Sequence, residues 1–339
     1  MIDFPTEKAI PLPPQGSWPA SVHRFDTRSS NALNAALAAQ RPLLVRGNPG
    51  TGKSQLARAA AQHLGRLFVS EVVHARAESQ DLQYHFDAVG RLGEAQALAA
   101  ACHVENGESE GNGKIKSCLE PKRFLAPGAL WWVFDWNSAL EQSEQTCFKY
   151  RVPEEPICWI PAQGSVLLID EIDKADVDLP NGLLETLGNG AFTVPYRDEP
   201  VCVQKETEKP LVIITTNEER ELPDAFVRRC LVLHLYLPDE DPKNRERTEA
   251  DRQQQLIKYL MTRGQDHFSA LDDEVREAAA RQLWADRDAA RRQGLTPPGM
   301  AEYIDLLRAL STLGKSTQEQ LRLLEDIKEF VLKKHLDLL

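Results

Sequence analysis

The sequence predicts an α/β fold in which a parallel β-sheet is covered by helices on both faces and is followed by a small all-α domain. A short apolar run at 43–45 precedes a glycine-rich turn and a helical pattern at 54–64, the order that begins a βαβ unit. Three later apolar runs are continuous rather than alternating, as expected of parallel strands buried on both faces. These runs span 166–169, 211–215 and 231–237.

Beyond Pro238 the sequence indicates helices only. Residues 239–253 are almost wholly polar, which marks a change of domain. At the other end, residues 1–21 hold five prolines and indicate a loop-like lead-in. We therefore predict a lead-in over 1–21, an α/β domain over 22–240 and a helical domain over 241–339. The predicted helices of the last domain span 254–263, 272–293, 300–311 and 317–339.

An insertion is predicted between the glycine-rich turn and the strand at 166–169. The chain between these two elements is much longer than the roughly 30 residues that a single crossover needs. Residues 104–114 are rich in Gly, Asn and Glu and are expected to form a mobile loop. Residues 127–136 carry Trp131, Trp132 and Trp136. These rings either grip a substrate or pack in a core, and we expect packing because it is the commoner role of such a cluster.

The chain is acidic, with 40 Lys and Arg against 51 Asp and Glu and a net charge of −11. Binding to nucleic-acid phosphates needs clustered basic charge, so no nucleic-acid partner is expected, although a local basic channel stays open. The six cysteines form no CxxC pair and match no zinc spacing, which favours unpaired thiols in the cytoplasm. No basic-then-apolar leader and no run of about 18 apolar residues occurs, so neither a signal peptide nor a membrane helix is expected.

Residues 47–54 read GNPGTGKS and match the phosphate-binding pattern GxxxxGK[ST] without a gap. Glycines let successive backbone N–H groups curl round phosphate oxygens, and the following helix points its positive end at them. Lys53 would neutralise charge on the β- and γ-phosphates, and Ser54 would offer its hydroxyl to Mg²⁺. A chance turn before a helix is the alternative, and the strand–turn–helix context argues against it. The predicted nucleotide contacts are Gly47, Asn48, Pro49, Gly50, Thr51, Gly52, Lys53, Ser54 and Gln55.

Two carboxylates, Asp170 and Glu171, end the apolar strand at 166–169. Ligands of open α/β sheets bind at the carboxyl ends of the strands, so this pair is expected beside the phosphate loop. Asp170 would hold Mg²⁺ and Glu171 would act as general base on the attacking water. An ordinary solvated acidic turn is the alternative. Asp173 and Lys174 follow, and we interpret them as a solvated helix start capped by Asp173.

Asn217 follows the strand at 211–215, and Arg228 and Arg229 lie just before the last strand. The Asn217 amide would bond the attacking water or the γ-phosphate, or would cap the strand end. A guanidinium that projects from the subunit edge would stabilise charge on a neighbouring subunit's γ-phosphate. The alternative is a pair of surface arginines that interact with a helix C-terminus.

These elements, in this order, resemble the AAA+ ATPases, and in finer detail the MoxR group. The resemblance covers most of residues 22–311. Beyond GNPGTGKS, it depends on LLIDEIDKAD (167–176), ITTNEERELPDAFVRRC (214–230), DLQYHFDAV (81–89) and PGALWWVF (127–134).

The resemblance implies an ATP-driven ring, usually a hexamer, that uses ATP and Mg²⁺ to remodel or activate a partner protein in a chaperone-like way. MoxR-type ATPases often act with a von Willebrand factor A domain protein. Lys53 and Ser54 match Walker A, Asp170 and Glu171 match Walker B, and Asn217 matches sensor 1. Arg229 best matches the arginine finger, with Arg228 as the alternative. The insertion at about 75–130 and a hairpin at 190–209 match elements that face the pore or the substrate.

One departure from the AAA+ pattern concerns sensor 2, an arginine at the start of a lid helix. The corresponding residues 296–302 read TPPGMAE and contain no arginine, and Arg308 lies two turns further on. Two other functions therefore stay open. One is a nucleotide-gated scaffold or switch whose hydrolysis is incidental. The other is a DNA-directed or GTP-using relative, since no residue that reads the base is identifiable.

Overall fold

The computed structural model describes residues 2–6, 8–104, 117–244 and 246–332. Eleven strands are found among these residues. They are β1 (Ile10–Leu12), β2 (Ser21–His23), β3 (Leu43–Arg46), β4 (Leu67–Val72), β5 (Tyr84–Phe86), β6 (Leu125–Pro127), β7 (Ser165–Asp170), β8 (Ala191–Phe192), β9 (Val201–Cys202), β10 (Leu211–Thr216) and β11 (Leu231–His234).

α-Helices lie between these strands and form the C-terminal region. The α-helices are α1 (Thr27–Ala39), α2 (Lys53–Leu64), α3 (Ala88–Val104), α4 (Ala129–Phe134), α5 (Trp136–Gln145), α6 (Asp178–Asn189), α7 (Asp224–Arg229), α8 (Glu249–His267), α9 (Asp273–Arg292), α10 (Met300–Leu313) and α11 (Thr317–Leu332).

A five-stranded parallel sheet forms the centre of the fold, in the order β11-β3-β10-β7-β4. The register pairs Ile214 of β10 with Ile169 of β7, and Val72 of β4 with Asp170 of β7. The carboxyl ends of these three strands therefore meet at one edge, where Asp170 and the end of β10 lie side by side. The predicted α/β class, with a helical C-terminal region, is confirmed.

The strand β4 is absent from the sequence-based expectation. Its residues read LFVSEV, with three apolar residues as in the run at 43–45, but Ser70 and Glu71 follow instead of a glycine-rich turn, so the sequence does not mark a strand there. The first C-terminal helix also begins earlier than expected, at Glu249 rather than 254, because Thr248 accepts a hydrogen bond from the Asp251 N–H and caps it. The predicted mobile loop at 104–114 lies outside the described residues except for Val104, which ends α3.

The chain divides into two compact units that are not continuous in sequence. One unit comprises 32–44 and 60–231, and the other comprises 1–31, 45–59 and 232–339. The linear division at 240 stays a prediction.

The core of the first unit surrounds β4, β7 and β10, and the tryptophans belong to it. Trp131 is fully buried, and Trp132 and Trp136 are 3% and 8% exposed. The Trp136 ring packs against Trp132 at 4.9 Å and against Trp159 at 5.1 Å between ring centroids. The expected packing role of this cluster is confirmed.

The core of the second unit includes apolar side chains of α8, α9, α10 and α11, among them Leu256, Leu283 and Leu307, all fully buried. The fully buried Tyr303 donates its hydroxyl to the carbonyl of Arg276 at 3.1 Å, which fixes α10 against α9. Packing of amphipathic helix faces, rather than helix propensity alone, therefore stabilises this part of the chain.

Candidate functional site

The loop 47–54 connects β3 to α2, as the sequence predicts. Three of its glycines have positive φ: Gly47 at 150°, Gly50 at 76° and Gly52 at 90°. A side chain at Gly47 would bring a Cβ within 2.5 Å of the Leu235 carbonyl oxygen, so only glycine fits there. The backbone conformation that a phosphate cradle requires is thus present.

Lys53 begins α2 and is almost completely buried, with 7% of its surface exposed. Its ammonium donates to the carbonyls of Gly47 at 2.7 Å and Asn48 at 3.0 Å, so it lies over the loop. Thr51 donates its hydroxyl to the same Asn48 carbonyl at 2.9 Å, and this bond closes the turn. Ser54 and Gln55 follow in the first turn of α2, where the backbone N–H groups have no helical acceptor.

The loop also contacts the start of α10 and the segment after β11. A Cβ at Gly50 would lie 3.1 Å from the Cβ of Ala301, and a Cβ at Gly299 would lie 3.1 Å from the carbonyl oxygen of Pro49. Asn48 donates its side-chain amide to Glu240 at 3.2 Å. These contacts join the loop to residues near the C-terminal helices.

Asp170 and Glu171 lie at the end of β7 and are organised by one hydroxyl. The Thr215 hydroxyl donates to Asp170 Oδ1 in a short bond and accepts from the Glu171 N–H at 2.9 Å. Glu171 has φ 59° and ψ 49°, a left-handed conformation that costs free energy in a non-glycine residue. The fully buried Thr215 therefore holds an uncommon turn that fixes the backbone of the acidic pair.

Glu171 is held through both carboxylate oxygens. Asn217 donates its side-chain amide to Oε1 at 3.2 Å, and the Lys174 ammonium forms a short ion pair with Oε2. This bond to Glu171 is the main cause that raises the pKa of Lys174 above its ordinary value. The Glu171 side chain is still 29% exposed, so the carboxylate remains open to solvent.

The interpretation of Asp173 as a solvated helix-capping residue is wrong. Asp173 is 1% exposed, and its carboxylate accepts the backbone N–H groups of Asn217 at 3.2 Å and Glu219 at 2.9 Å. The surrounding residues Ile172–Lys174 form a single 3-10 turn. Asp173 therefore anchors the segment that carries Asn217, because a buried carboxylate is stabilised by the N–H groups that donate to it.

Arg228 and Arg229 occupy the last turn of the short helix α7, and both are exposed. The carbonyls at this helix end are bonded by a different residue. Arg41 donates Nε to the Arg229 carbonyl at 2.9 Å and Nη2 to the Arg228 carbonyl in a shorter bond. Arg41 thus performs the capping role considered for the two arginines.

The sequence alone does not reveal the roles of Thr215, Lys174 and Arg41. The position of Thr215 could have suggested its role, since a hydroxyl near the end of an apolar strand can bond a carboxylate at the end of the neighbouring strand. Lys174 reaches Glu171 only because of the turn after β7, and Arg41 reaches the end of α7 from 187 positions away. The partners of these two residues become visible only in the folded chain.

The residues fit a nucleotide with Mg²⁺ in two respects. The positive φ angles of Gly47, Gly50 and Gly52 give the loop a backbone conformation that suits phosphate binding by N–H groups. Asp170 supplies a carboxylate, and carboxylate and hydroxyl oxygens are protein ligands that Mg²⁺ prefers. Gln55 has a buried Oε1 that finds no hydrogen-bond partner among the described residues.

A parallel sheet, a glycine-rich phosphate loop and an acidic strand end define the class of P-loop ATPase folds. The profile of the AAA domain (dynein-related subfamily) matches residues 42–230, which is more than half of the chain. The chain belongs to this family. AAA domains generally bind ATP with Mg²⁺ and usually assemble into oligomers.

Comparison with solved structures finds similar chains at low identity. The RuvB Holliday junction branch migration motor of Thermotoga maritima is 15% identical, with a TM-score of 0.43, over 88% of this chain and 67% of that chain. A protein from Cytophaga hutchinsonii described as a putative ATPase is 12% identical, with a TM-score of 0.36, over 90% and 79% of the two chains. Both TM-scores are low, so neither likeness carries an argument about function. No curated protein matches the sequence.

Two further features concern the described residues only. None of their helices is both long and apolar enough to cross a membrane. Five cysteines are free thiols, namely Cys118, Cys147, Cys158, Cys202 and Cys230.

Proposed function

We propose that the chain is an ATP-hydrolysing ring ATPase of MoxR type that remodels or activates a partner protein. The observation that carries this proposal is the arrangement at the end of β7, where Asn217 orients the Glu171 carboxylate and Thr215 joins Asp170 to the Glu171 backbone. A switch that only binds nucleotide has no need of a carboxylate oriented in this way. Hydrolysis does need one, because a general base must be aimed at the attacking water.

The proposed roles follow from the chemistry of each group. Lys53 neutralises charge on the β- and γ-phosphates, and the N–H groups of the loop bind their oxygens. Ser54 and Asp170 are the residues that would hold Mg²⁺, which would neutralise charge that develops on the phosphates. Glu171 accepts the proton of the attacking water. Asn217 keeps Glu171 in position.

We further propose that Arg229 acts in a neighbouring subunit's site, with Arg228 as the alternative. Both side chains are exposed at the end of α7, and Arg41 already bonds the carbonyls there. A guanidinium in this position stabilises transition-state charge only if subunits assemble in a ring. A hexamer is the assembly that the MoxR resemblance implies.

The partner is proposed to be a protein, and a von Willebrand factor A domain protein is the first candidate. Support comes from apolar side chains exposed in the insertion, where Val89 is 82% and Leu92 is 60% exposed on α3. These two side chains are three positions apart and so neighbour each other on the helix surface, where they offer a small apolar contact to a partner. The hairpin of β8 and β9, which pairs Ala191 with Cys202, is a second element that the resemblance places near a substrate. We place the ring in the cytoplasm, where its free thiols stay reduced.

Nucleotide binding is the first experiment. Wild-type chain is titrated with ATP and with GTP in the presence of Mg²⁺, and the Lys53→Ala variant is titrated alongside. We expect the variant to bind ATP at least about tenfold more weakly, since a charge-assisted contact is removed. Equal binding of both proteins would contradict the proposal, and a clear preference for GTP or turnover stimulated by DNA would favour the DNA-directed or GTP-using relative.

A nucleotide-gated switch is the second candidate, and one observation favours it. The Lys174 ammonium forms an ion pair with Glu171, so the proposed base carries a neutralising partner. Steady turnover in the wild-type chain separates the two candidates, because a switch with incidental hydrolysis would turn over no faster than its Glu171→Gln variant.

A further inference from the structure

The start of α10, Met300-Ala301-Glu302, carries no arginine. Gly299 stands before the helix, and Glu302 accepts its N–H at 2.8 Å. A side chain at Gly299 would crowd the Pro49 carbonyl, because its Cβ would already lie 3.1 Å away. Besides this close approach, polar side chains link the loop to the C-terminal helices.

Arg287 is the centre of such a link. This α9 residue is only 1% exposed, and each of its guanidinium nitrogens is hydrogen-bonded. Nε donates to Asp239 at 2.9 Å, Nη2 donates to Glu240 at 2.7 Å, and Nη1 forms a short bond to the Pro298 carbonyl. A buried guanidinium with these partners is held rigidly. Movement away from a partner would leave a buried charge uncompensated, which costs free energy.

Glu240 extends this link to the phosphate loop. One carboxylate oxygen accepts from Arg287, and the other accepts the Asn48 amide at 3.2 Å. The Asn48 carbonyl is in turn an acceptor of the Lys53 ammonium. A continuous set of polar contacts therefore runs from Lys53 through Asn48 and Glu240 to Arg287.

We propose that Glu240 is a positioning residue for the phosphate loop. It fixes Asn48 to the rigid Arg287 group and so keeps the loop ready to bind nucleotide. The loop and α9 are joined in this way without an arginine at the start of α10. This inference rests on the proposed function, since it concerns the same loop.

The physical reason is the conformational cost of ordering the loop. A loop held by Glu240 is ordered before nucleotide arrives, whereas a released loop loses its freedom at the moment of binding. One hydrogen bond between exposed groups corresponds to about a three- to tenfold change in affinity.

The test compares ATP affinity and turnover in four chains. Glu240→Ala is expected to weaken ATP binding by about three- to tenfold, the effect of one lost hydrogen bond. Glu240→Gln is expected to stay within about twofold of wild type, because the Asn48 amide can turn and still bond the new amide. Asp241→Ala is the matched control, since it removes the same charge one residue further on, where the partners are Arg28 at 3.5 Å and the Lys243 N–H at 3.0 Å.

A double-mutant cycle separates positioning from a general loss of stability. Asn48→Ala combined with Glu240→Ala should bind ATP no more weakly than the weaker of the two single variants, because Glu240→Ala removes a contact that Asn48→Ala already lacks. Additive effects would overturn the inference, as would tighter binding in Glu240→Ala or an equal loss in Asp241→Ala. Absence of ATP binding in the wild-type chain would instead overturn the proposed function.

Discussion

Asn217 donates its side-chain amide to a carboxylate oxygen of Glu171 across 3.2 Å, although 46 positions separate them in the chain. Each residue follows one of two neighbouring parallel strands, β10 and β7. The contact fixes one oxygen of the proposed base, so the fold rather than the solvent determines where the Glu171 carboxylate points.

Replacement of Asn217 should therefore affect turnover more than binding. Asn217→Ala is expected to lower kcat by about ten- to a hundredfold, since a general base that loses its positioning loses much of its effect. ATP affinity should change by less than about threefold, because no phosphate contact in the loop is lost. Equal losses in affinity and kcat would contradict this role.

Loss of the Thr215 hydroxyl should change the Mg²⁺ dependence of turnover, because this hydroxyl holds the acidic pair. Thr215→Val keeps the shape but removes the hydroxyl that bonds Asp170 and Glu171. We expect the Mg²⁺ concentration for half-maximal turnover to rise and the unfolding free energy to fall by about 1–2 kcal/mol. Thr215→Ser is the control and should retain both properties, and an unchanged Mg²⁺ dependence in the valine variant would count against the link.

Asp173 should be a structural anchor that also affects catalysis. Asp173→Ala leaves the N–H groups of Asn217 and Glu219 without their acceptor, which should cost about 1–3 kcal/mol of unfolding free energy. Chemical denaturation measures this loss, and kcat should fall with it. Asp176→Ala is the matched control, because its ion pair with Arg220 is exposed and should contribute less than about 1 kcal/mol. Equal stability of the two variants would show that Asp173 is no anchor.

Arg229 should act between subunits. Arg229→Ala is expected to bind ATP but to lose turnover, by about a thousandfold if its role matches other arginine fingers. Mixing this variant with Glu171→Gln should restore part of the activity, since some sites then receive an arginine from one chain and a base from the other. No recovery on mixing would argue against a shared site, and loss in Arg228→Ala alone would move the role to Arg228.

His23 should make the protein less stable in acid. Burial is the main cause that lowers the pKa of His23 from 6.5 to about 3, with Arg263 and His267 adding to it. Between pH 6.5 and about 3 the unfolded chain takes up a proton at this histidine while the folded chain does not, so stability should fall by up to about 1.4 kcal/mol per pH unit as the pH is lowered through this window. Denaturation of His23→Leu should show a flatter pH dependence, with the exposed His74→Leu as control, and an unchanged slope would contradict the assignment.

Short sequence patterns are enough to predict the fold class and several residues of the candidate site. The phosphate loop, the acidic strand end and Asn217 depend on short stretches of sequence whose backbone environment is nearly fixed by the strands beside them. The α/β class follows for the same reason, since buried parallel strands need continuous apolar runs. The edge strand β4 has three apolar residues followed by Ser70 and Glu71, without the glycine-rich turn that marks the run at 43–45, and the sequence does not predict it.

Long-range side-chain contacts account for the rest. The role of Asp173 depends on backbone N–H groups 44 and 46 positions away, and that of Glu240 depends on Asn48, 192 positions away. An acidic residue after a strand is usually solvated, so the sequence favours the wrong interpretation of Asp173. Only the folded chain shows which carboxylates are buried and what they bond.

The most direct test of the central claim is steady-state ATP turnover of the wild-type chain beside Glu171→Gln, with ATP affinity measured on both. We expect the variant to bind ATP within about threefold of wild type and to turn over at least about a hundredfold more slowly, because only the general base is removed. Wild-type turnover no faster than that of Glu171→Gln would contradict the assignment of this chain as an ATP-hydrolysing motor.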